Sequence, residues 1–286
     1  MDNLAYFNGK FMPISDVKIS PLDRGFLFAD GVYEVVPVYN KQPFFFSEHL
    51  DRLYRSLKKI RLDPCKKKEE IKSCIEKLIL RTGHKHQIIY IQITRGVAQR
   101  NHAFPKSTRP TIFIMASELI RPTEQMFSEG VNAITTKDNR WKSCDIKSIS
   151  LLSNVLAREE AAALNCHEAI LVDNGKITEG AASTIWIVKH GKVFCPEPCN
   201  NLLEGVRIEI IKKLCFELKI FFERRNFEMS ELMNADEILL TSATKEILPI
   251  TSVNGEKIGM KNLKGKPGSI FQKLRQRYTD LILSNY

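Results

Sequence analysis

Lys147 is the residue with the most distinctive potential chemistry in this chain, and it lies in an irregular, partly basic stretch of the segment 140–163. Apolar residues follow it at helical spacing and form one face of a predicted helix: Leu152, Val155, Leu156 and Ala163. A lysine that is held against a rigid element and shielded from water keeps its amine neutral, and a neutral amine can form a Schiff base with a carbonyl compound. The position alone favours an ordinary solvent-exposed lysine, because lysines are frequent throughout the chain.

Composition and length are those of an ordinary globular protein. The 286 residues are 43% hydrophobic and 27% charged, and this length allows about two domains. The longest apolar runs, such as 88–93 and 112–116, are too short for a membrane span, and the first residues show no secretory signal pattern. Seven cysteines without a CxxC pair favour reduced thiols in a cytoplasmic protein, and they argue against a zinc site.

The net charge of +10 raises the question of an anionic partner. The basic residues occur in scattered short runs, for example 66–68 and 212–213, and these are typical of solvated helix faces. No aromatic–basic RNA motif and no helix-turn-helix pattern accompanies them. We therefore expect a positive field that attracts anionic small molecules, and we expect neither nucleic acid nor a membrane as a partner.

The first 118 residues predict a small α+β domain. Asn8-Gly9 is a preferred hairpin-turn pair. Residues 32–39 are β-branched and aromatic enough to form a strand, in which Pro37 indicates a sheet edge or a bulge. Ser47 is a candidate N-cap for an amphipathic helix that extends to about residue 60. A second helix is predicted at 67–82, and further strands at 87–94 and 111–117.

Residues 125–286 predict a larger second domain, which follows a linker at 119–124 that contains Pro122. Its short strands are joined across three turn pairs: Asn174-Gly175, His190-Gly191 and Asn254-Gly255. Helices are predicted at 206–218 and 270–283. Short strands in hairpins with interspersed helices favour an α+β fold over a doubly wound parallel sheet.

Six segments, in this order and with matching spacing, resemble the fold type IV pyridoxal-phosphate enzymes. They are DRGFLFADGVYEVV (23–36), EHLDRLYRS (48–56), DIKSISLLSNVLA (145–157), ITEGAAST (177–184), LLEGVR (202–207) and LLTSATKEILPI (239–250). The family includes D-amino-acid transaminase, branched-chain aminotransferase and aminodeoxychorismate lyase. The resemblance covers nearly the whole chain and implies a small N-terminal α/β domain with a larger, mixed-sheet or barrel-like C-terminal domain.

The resemblance gives two residues a role at the ring of pyridoxal 5′-phosphate. Lys147, in DIKS, matches the lysine that binds the cofactor covalently and later moves the proton between Cα and the cofactor. Glu179, in TEG, matches the carboxylate that faces the pyridine nitrogen and favours its protonated form. Gly180 beside it is consistent with close backbone approach.

The phosphate of this cofactor requires a set of hydrogen-bond donors. Arg52, in HLDRLY, matches the family's phosphate arginine. The helix that begins near Val206 offers backbone N–H groups and a favourable dipole. Ser242 and Thr244 have hydroxyl groups that can supplement these donors.

The chain departs from the family pattern at three positions around the phosphate. Arg207 stands where threonine is common, Ala243 where a hydroxyl residue is frequent, and Thr184 where asparagine is typical. Backbone donors survive such changes, so Val206, Arg207, Ser242 and Ala243 remain expected cofactor contacts, with Arg207 as a further source of positive charge.

The loop after the third predicted strand bears on the substrate. It reads TRGVAQRNHAFP, and its Arg100-Asn101-His102 matches the R-x-H carboxylate trap of D-amino-acid transaminases, which a tyrosine of the DGVYE segment, here Tyr33, completes. An arginine binds a carboxylate through paired hydrogen bonds, and a histidine and a phenol add donors. Because the trap loop reaches the site from the partner subunit in that family, the resemblance also implies a homodimer.

The expected reaction is a ping-pong transamination. A D-amino acid such as D-alanine donates its amino group to the cofactor, and a 2-oxo acid such as 2-oxoglutarate takes it up, which gives pyruvate and D-glutamate. Within the same fold, an L-branched-chain aminotransferase would need a more apolar pocket without the R-x-H trap, and aminodeoxychorismate lyase would use the same lysine without an amino acceptor. A homologue that binds the cofactor without turnover is the non-enzymatic alternative. Only the departures from the family pattern at Arg207, Ala243 and Thr184 favour it.

Overall fold

The chain forms two compact units in a computed structural model that describes residues 4–260 and 263–284. The first unit comprises Met1–Ile120 and Ile146–Leu151, and the second comprises Arg121–Asp145 and Leu152–Tyr286. The segment with Lys147 therefore groups with the first unit. The predicted domain limits, 1–118 and 125–286 with a linker at 119–124, remain a prediction.

The first unit is built on an antiparallel sheet with the strand order β2-β1-β6-β5-β3-β4. Its strands are β1 (Leu4–Phe7), β2 (Lys10–Pro13), β3 (Gly31–Tyr39), β4 (Gln42–Pro43), β5 (Gln87–Thr94) and β6 (Thr111–Glu118). Its helices are α1 (Arg24–Phe28), α2 (Phe46–Lys59) and α3 (Lys68–Arg81). The Asn8-Gly9 hairpin is confirmed, since both residues have positive φ between β1 and β2.

Helices α2 and α3 cover one face of this sheet because their apolar stripes match its alternating residues. The buried cluster between them includes Val32, Val36, Leu50, Leu53, Leu57, Ile71, Ile75, Leu78, Ile89 and Ile91.

Two predicted features of β3 and α2 can be compared with the structure. Strand β4 pairs only with the last two residues of β3, so β3 is nearly an edge strand, as Pro37 indicated. The predicted cap at Ser47 is wrong: α2 begins at Phe46, and its N-cap is Phe45, two residues before Ser47, in a left-handed conformation and without a side-chain hydrogen bond.

The second unit contains a mixed sheet with the strand order β12-β11-β10-β13-β14-β7-β8-β9, and β15 pairs with β14. The strands are β7 (Val131–Lys137), β8 (Glu168–Asp173), β9 (Lys176–Gly180), β10 (Thr184–Lys189), β11 (Lys192–Cys195), β12 (Phe222–Arg224), β13 (Glu237–Ser242), β14 (Glu246–Val253) and β15 (Glu256–Lys257). The helices are α4 (Glu124–Ser128), α5 (Leu152–Ala163), α6 (Val206–Glu217), α7 (Met229–Met233) and α8 (Ser269–Leu283). All three predicted turn pairs join neighbouring strands here, and the α+β fold class is confirmed.

Helix α5 has the predicted extent, but its large apolar side chains are not buried. Leu152, Val155 and Leu156 are 72%, 59% and 62% exposed. Ala157 and Ala161 pack on β7 and β8 instead, because small side chains let the helix approach the sheet closely. The apolar face predicted from sequence is therefore present, and it points away from the core of its own unit. No helix in the described ranges 4–260 and 263–284 is long and apolar enough to cross a membrane.

Gly96 has a backbone conformation and surroundings that admit no side chain. Its φ is +94°, and a Cβ atom there would lie 1.9 Å from the carbonyl oxygen of Arg109. We expect Gly96→Ala to lower the free energy of unfolding by about 3 kcal/mol, because left-handed strain and a backbone clash add. Gly175→Ala is the matched control, since Gly175 has φ +79° with no atom within 4 Å of the added Cβ. It should cost only about 1 kcal/mol, from strain alone. Equal losses in urea titrations of the two variants would contradict this assignment.

Candidate active site

Lys147 is held by backbone pairing along the open edge of β3. The N–H of Tyr33 donates to the carbonyl oxygen of Lys147 at 3.0 Å, and the N–H of Ile149 donates to the carbonyl oxygen of Gly31 at 3.2 Å. The N–H of Lys147 itself donates to Oγ of Ser56 in α2 at 3.2 Å. The segment around the lysine thus extends the sheet of the first unit by a short bridge and is fixed from two sides.

The amine of Lys147 lies against the ring of Tyr33. Its Nζ is 4.1 Å from the ring centre, and the lysine side chain is half-buried. The Tyr33 ring stacks on Tyr90 of β5, with ring centres 5.8 Å apart. Burial, and then the nearby Tyr33 phenol, raise the pKa of Tyr90 to about 12. Tyr90 therefore stays neutral at physiological pH and provides a fixed surface behind Tyr33.

Arg52 lies in a buried ion pair with Glu34 of β3. Its Nε is 2.9 Å from Oε2 and its Nη2 is 2.7 Å from Oε1 of that carboxylate. His49, one turn earlier on α2, places Nδ1 3.0 Å from Oε1. Arg52 was predicted from the sequence, whereas Glu34 and His49 were not. A glutamate between valines on the core face of a strand is the signal that could have revealed them.

The loop with Arg100 and His102 has a defined shape although both side chains are exposed. Both pack on the ring of Phe28. The guanidinium carbon of Arg100 is 5.2 Å from the centre of that ring, and the ring centre of His102 is also 5.2 Å from it. Arg24 donates to the carbonyl oxygens of Asn101, His102 and Ala103, and so fixes the backbone at the proposed trap. Arg24 was not singled out from the sequence.

Asp30 holds Arg24, the residue that fixes the loop with Arg100 and His102. It accepts from Nε of both Arg24 and Arg95 at 2.8 Å. Burial alone would raise the pKa of Asp30, but hydrogen bonds and charge from Arg95 and Arg24 outweigh it and lower the pKa below its ordinary value. The carboxylate is therefore ionised at neutral pH and keeps Arg24 in position.

In the second unit, Glu179 is buried and held by Arg140. The carboxylate is 8% exposed as a residue and accepts from Nη1 of Arg140 and from the N–H of Leu203. Arg140 also donates to Asp138 through Nε at 2.9 Å and Nη2 at 2.7 Å. Burial would raise the pKa of Asp138, and its bonds to Arg140 lower it instead. Sequence reasoning missed Arg140 and Asp138, because only the fold brings them to a glutamate about forty residues away.

The proposed phosphate donors of the second unit are neighbours in space. Helix α6 begins at Val206, and its N-cap Gly205 contributes no side-chain bond to the helix, so its first N–H groups point out of the N-terminus. A Cβ on Gly205 would lie 2.7 Å from Oγ1 of Thr184, so the helix start is tightly packed against β10. Thr184 pairs with Thr241, which precedes Ser242 and Ala243.

Arg207, which the sequence predicts as a further source of positive charge at the phosphate, is the second residue of α6. Its side chain is buried at 2% exposure and lies against Tyr278 of α8. Burial raises the pKa of Tyr278, although the positive charge of Arg207 acts in the opposite direction. Arg207 therefore lies beside α8, and its role at a phosphate remains a prediction.

The structure thus distributes the predicted residues over both units. Lys147, Tyr33, Arg52, Arg100 and His102 are in the first, and Glu179, Val206, Arg207, Ser242 and Ala243 are in the second. The donor chemistry of each set fits pyridoxal phosphate: an amine beside an aromatic ring, a buried carboxylate for a protonated ring nitrogen, and an uncapped helix start for a phosphate.

Comparison with known proteins agrees with these features. The family described as Amino-transferase class IV matches residues 31–253. The chain is 37% identical to the D-alanine aminotransferase of Staphylococcus epidermidis over 282 residues, which cover 98% of each protein. It is 34% identical to the D-alanine aminotransferase of Bacillus licheniformis over 97% of this chain and 96% of that enzyme. A solved structure of the Escherichia coli branched-chain amino acid aminotransferase superposes with a TM-score of 0.91 at 24% identity, over 99% of this chain and 95% of that chain. The chain belongs to the class IV aminotransferases, the pyridoxal-phosphate enzymes of fold type IV.

Proposed function

We propose that this aminotransferase exchanges an amino group between a D-amino acid, such as D-alanine, and a 2-oxo acid, such as 2-oxoglutarate. The observation that carries this proposal is the position of the Lys147 amine, 4.1 Å from the centre of the Tyr33 ring. A reactive amine and a substrate-facing phenol are thereby neighbours on one rigid strand edge. The names and the full-length coverage of the D-alanine aminotransferase relatives support the same choice of substrate.

When bound, pyridoxal phosphate supplies an aldehyde carbon that takes up the amino group and a ring that accepts the electron pair released at Cα. Lys147 would hold the cofactor through its Nζ, and the same amine would move the proton at Cα of the substrate. Glu179 would favour the protonated form of the ring nitrogen. Its hydrogen bonds from Arg140 and Leu203 hold the carboxylate in one orientation for that task.

On the substrate side, Arg100, His102 and Tyr33 bind the α-carboxylate. The guanidinium and the imidazole both pack on Phe28, so they are presented together, and the exposed position of the loop suits a ligand that arrives from outside the unit. Fixing the carboxylate there turns the Cα–H of a D-amino acid toward Lys147. The phosphate donors of this proposal are Arg52 in the first unit and, in the second, the N–H groups at Val206 and Arg207 with Ser242 and Ala243.

The active enzyme is a homodimer in this proposal, in which the loop with Arg100 and His102 completes the partner's site. The exposed apolar face of α5 supports a second copy as its partner, since Leu152, Val155 and Leu156 present a contiguous stripe of large side chains to solvent. Such a stripe is costly on an isolated chain and stabilising once it is covered.

The cofactor spectrum distinguishes the candidate substrates directly. We expect D-alanine to convert the visible absorption band of the purified enzyme to that of the pyridoxamine form within one half-reaction, because only the D-isomer presents its Cα–H to Lys147. L-alanine and L-leucine, added in parallel at the same concentration, should leave the band in place. Conversion by L-leucine alone would instead support an L-branched-chain aminotransferase, and a stable band with all three would support a homologue without turnover.

Replacement of Lys147 tests the catalytic assignment. Lys147→Ala should lower kcat by about a thousandfold or more, because both the covalent attachment and the proton transfer at Cα are lost. The variant should still bind pyridoxal phosphate weakly, as measured by equilibrium dialysis. Lys142→Ala, which removes an exposed lysine five residues earlier, is the control and should retain normal turnover. An active Lys147→Ala enzyme would refute the central assignment.

The dimer is tested by charging the apolar face of α5. Val155→Asp should shift the sedimentation coefficient from that of a dimer to that of a monomer, because an unpaired carboxylate would be buried in the interface. Leu80→Asp is the control: this residue is 71% exposed on α3 and outside the stripe, so the variant should sediment like the unaltered protein. A Val155→Asp protein that remains a dimer would exclude this face as the interface.

A further inference from the structure

Three ionisable side chains are enclosed between β3 and α2 of the first unit. Glu34 and His49 are 0% exposed and Arg52 is 7% exposed. Glu34 lies between Val32 and Val36 on the strand face that otherwise contributes to the apolar core. A carboxylate in that position carries a desolvation cost, so its presence calls for a specific role.

The carboxylate of Glu34 is fixed by donors on several sides. Its Oε1 accepts from Nη2 of Arg52 at 2.7 Å and from the backbone N–H of Val35 at 2.9 Å, and it lies 3.0 Å from Nδ1 of His49. Its Oε2 accepts from Nε of Arg52 at 2.9 Å. With both oxygens engaged, the carboxylate cannot rotate without losing hydrogen bonds, and each lost bond would leave a buried polar atom.

The ion pair fixes the guanidinium in turn. Two parallel bonds to Nε and Nη2 define the plane of Arg52 and therefore the direction in which its Nη1 end points. Burial would raise the pKa of Glu34, but the charges of Arg52 and His49 lower it well below its ordinary range, so the pair is ionised at neutral pH. A buried pair of this kind contributes little net stability compared with apolar residues, whereas it holds geometry well.

The same face of α2 also fixes the lysine segment. Ser56 follows Arg52 by one helical turn, and its Oγ accepts the N–H of Lys147 at 3.2 Å. One face of α2 therefore carries Arg52 and also holds the backbone of Lys147. Glu34 is adjacent in sequence to Tyr33, whose ring contacts the lysine amine.

We propose that Glu34, locked by His49, is a positioning residue that directs the Arg52 guanidinium for binding of the cofactor phosphate. The inference rests on the proposed function, in which Arg52 is a phosphate ligand. Glu34 itself contacts neither cofactor nor substrate in this scheme. It acts by keeping Arg52 in one orientation before the phosphate arrives, so that no ordering of the arginine is required on binding.

The test separates phosphate binding from folding and from activity. Apo-protein is titrated with pyridoxal phosphate and with pyridoxal, which lacks the phosphate. The affinity for pyridoxal phosphate divided by the affinity for pyridoxal measures how much the phosphate contributes to binding. We expect Glu34→Gln to reduce this ratio about tenfold, a change of about 1.4 kcal/mol, with the affinity for pyridoxal changed less than twofold. Arg52→Gln should reduce the ratio at least as much, and the double variant should lose no more than Arg52→Gln alone, because both changes act through one guanidinium.

Two further variants keep the test decisive. If Glu34→Gln does not fold, Glu34→Asp retains the charge but shortens the reach by one methylene, and the same fall in the ratio is expected. Glu237→Gln is the control: Glu237 is a partly buried carboxylate that accepts from the N–H groups of Ile270 and Phe271 at the start of α8, in the other unit. It should lower the thermal midpoint and leave the ratio unchanged.

The outcomes distinguish the inference from its premise. A reduced ratio in Arg52→Gln with an unchanged ratio in both Glu34 variants would overturn the positioning role and leave a purely structural ion pair. An unchanged ratio in Arg52→Gln would remove Arg52 from the proposed phosphate site and the inference with it, whereas the D-alanine half-reaction tests the reaction separately.

Discussion

The open edge of β3 is the constraint on which the candidate residues of the first unit depend. Strand β4 pairs with only two residues of β3, so the backbone groups around Gly31 and Tyr33 need other partners. The segment 146–149 supplies them, through the bonds of Tyr33 to Lys147 and of Ile149 to Gly31. The free edge of β3 thus binds the segment that contains Lys147. The backbone of the lysine is held by sheet hydrogen bonds although the segment itself is irregular.

Buried carboxylate–arginine pairs then set the directions of the side chains. Asp30 holds Arg24 beneath the loop of the proposed carboxylate trap, and Glu34 holds Arg52 on α2. In the second unit Arg140 joins Asp138 to Glu179. In each case at least two nitrogen atoms of the arginine donate hydrogen bonds, which restricts a long side chain that would otherwise be mobile. These pairs stabilise particular orientations more than they stabilise the fold.

Local sequence patterns predicted most of the regular elements, because turns and amphipathic helices are determined by neighbouring residues. All four predicted turn pairs join strands, and α3, α5, α6 and α8 lie within a few residues of their predicted limits. The predictions failed where the outcome depended on distant packing. Ser47 does not cap α2, and α5 buries its alanines against β7 and β8 instead of its leucines and valine, since a periodic pattern identifies a face without specifying what covers it.

By itself the sequence determined the fold class, the family and the candidate residues, from Lys147 and Glu179 to Arg100 and His102, because short motifs in a fixed order are properties of the chain alone. Only the tertiary structure decided their partners. Lys147 meets Ser56 across 91 positions, Arg24 meets the trap loop across 77 to 79, and Arg140 meets Glu179 across 39. Contacts between residues so far apart in sequence form only when strands and helices pack together, so no local pattern encodes them. The geometry of the candidate site therefore depends on tertiary packing.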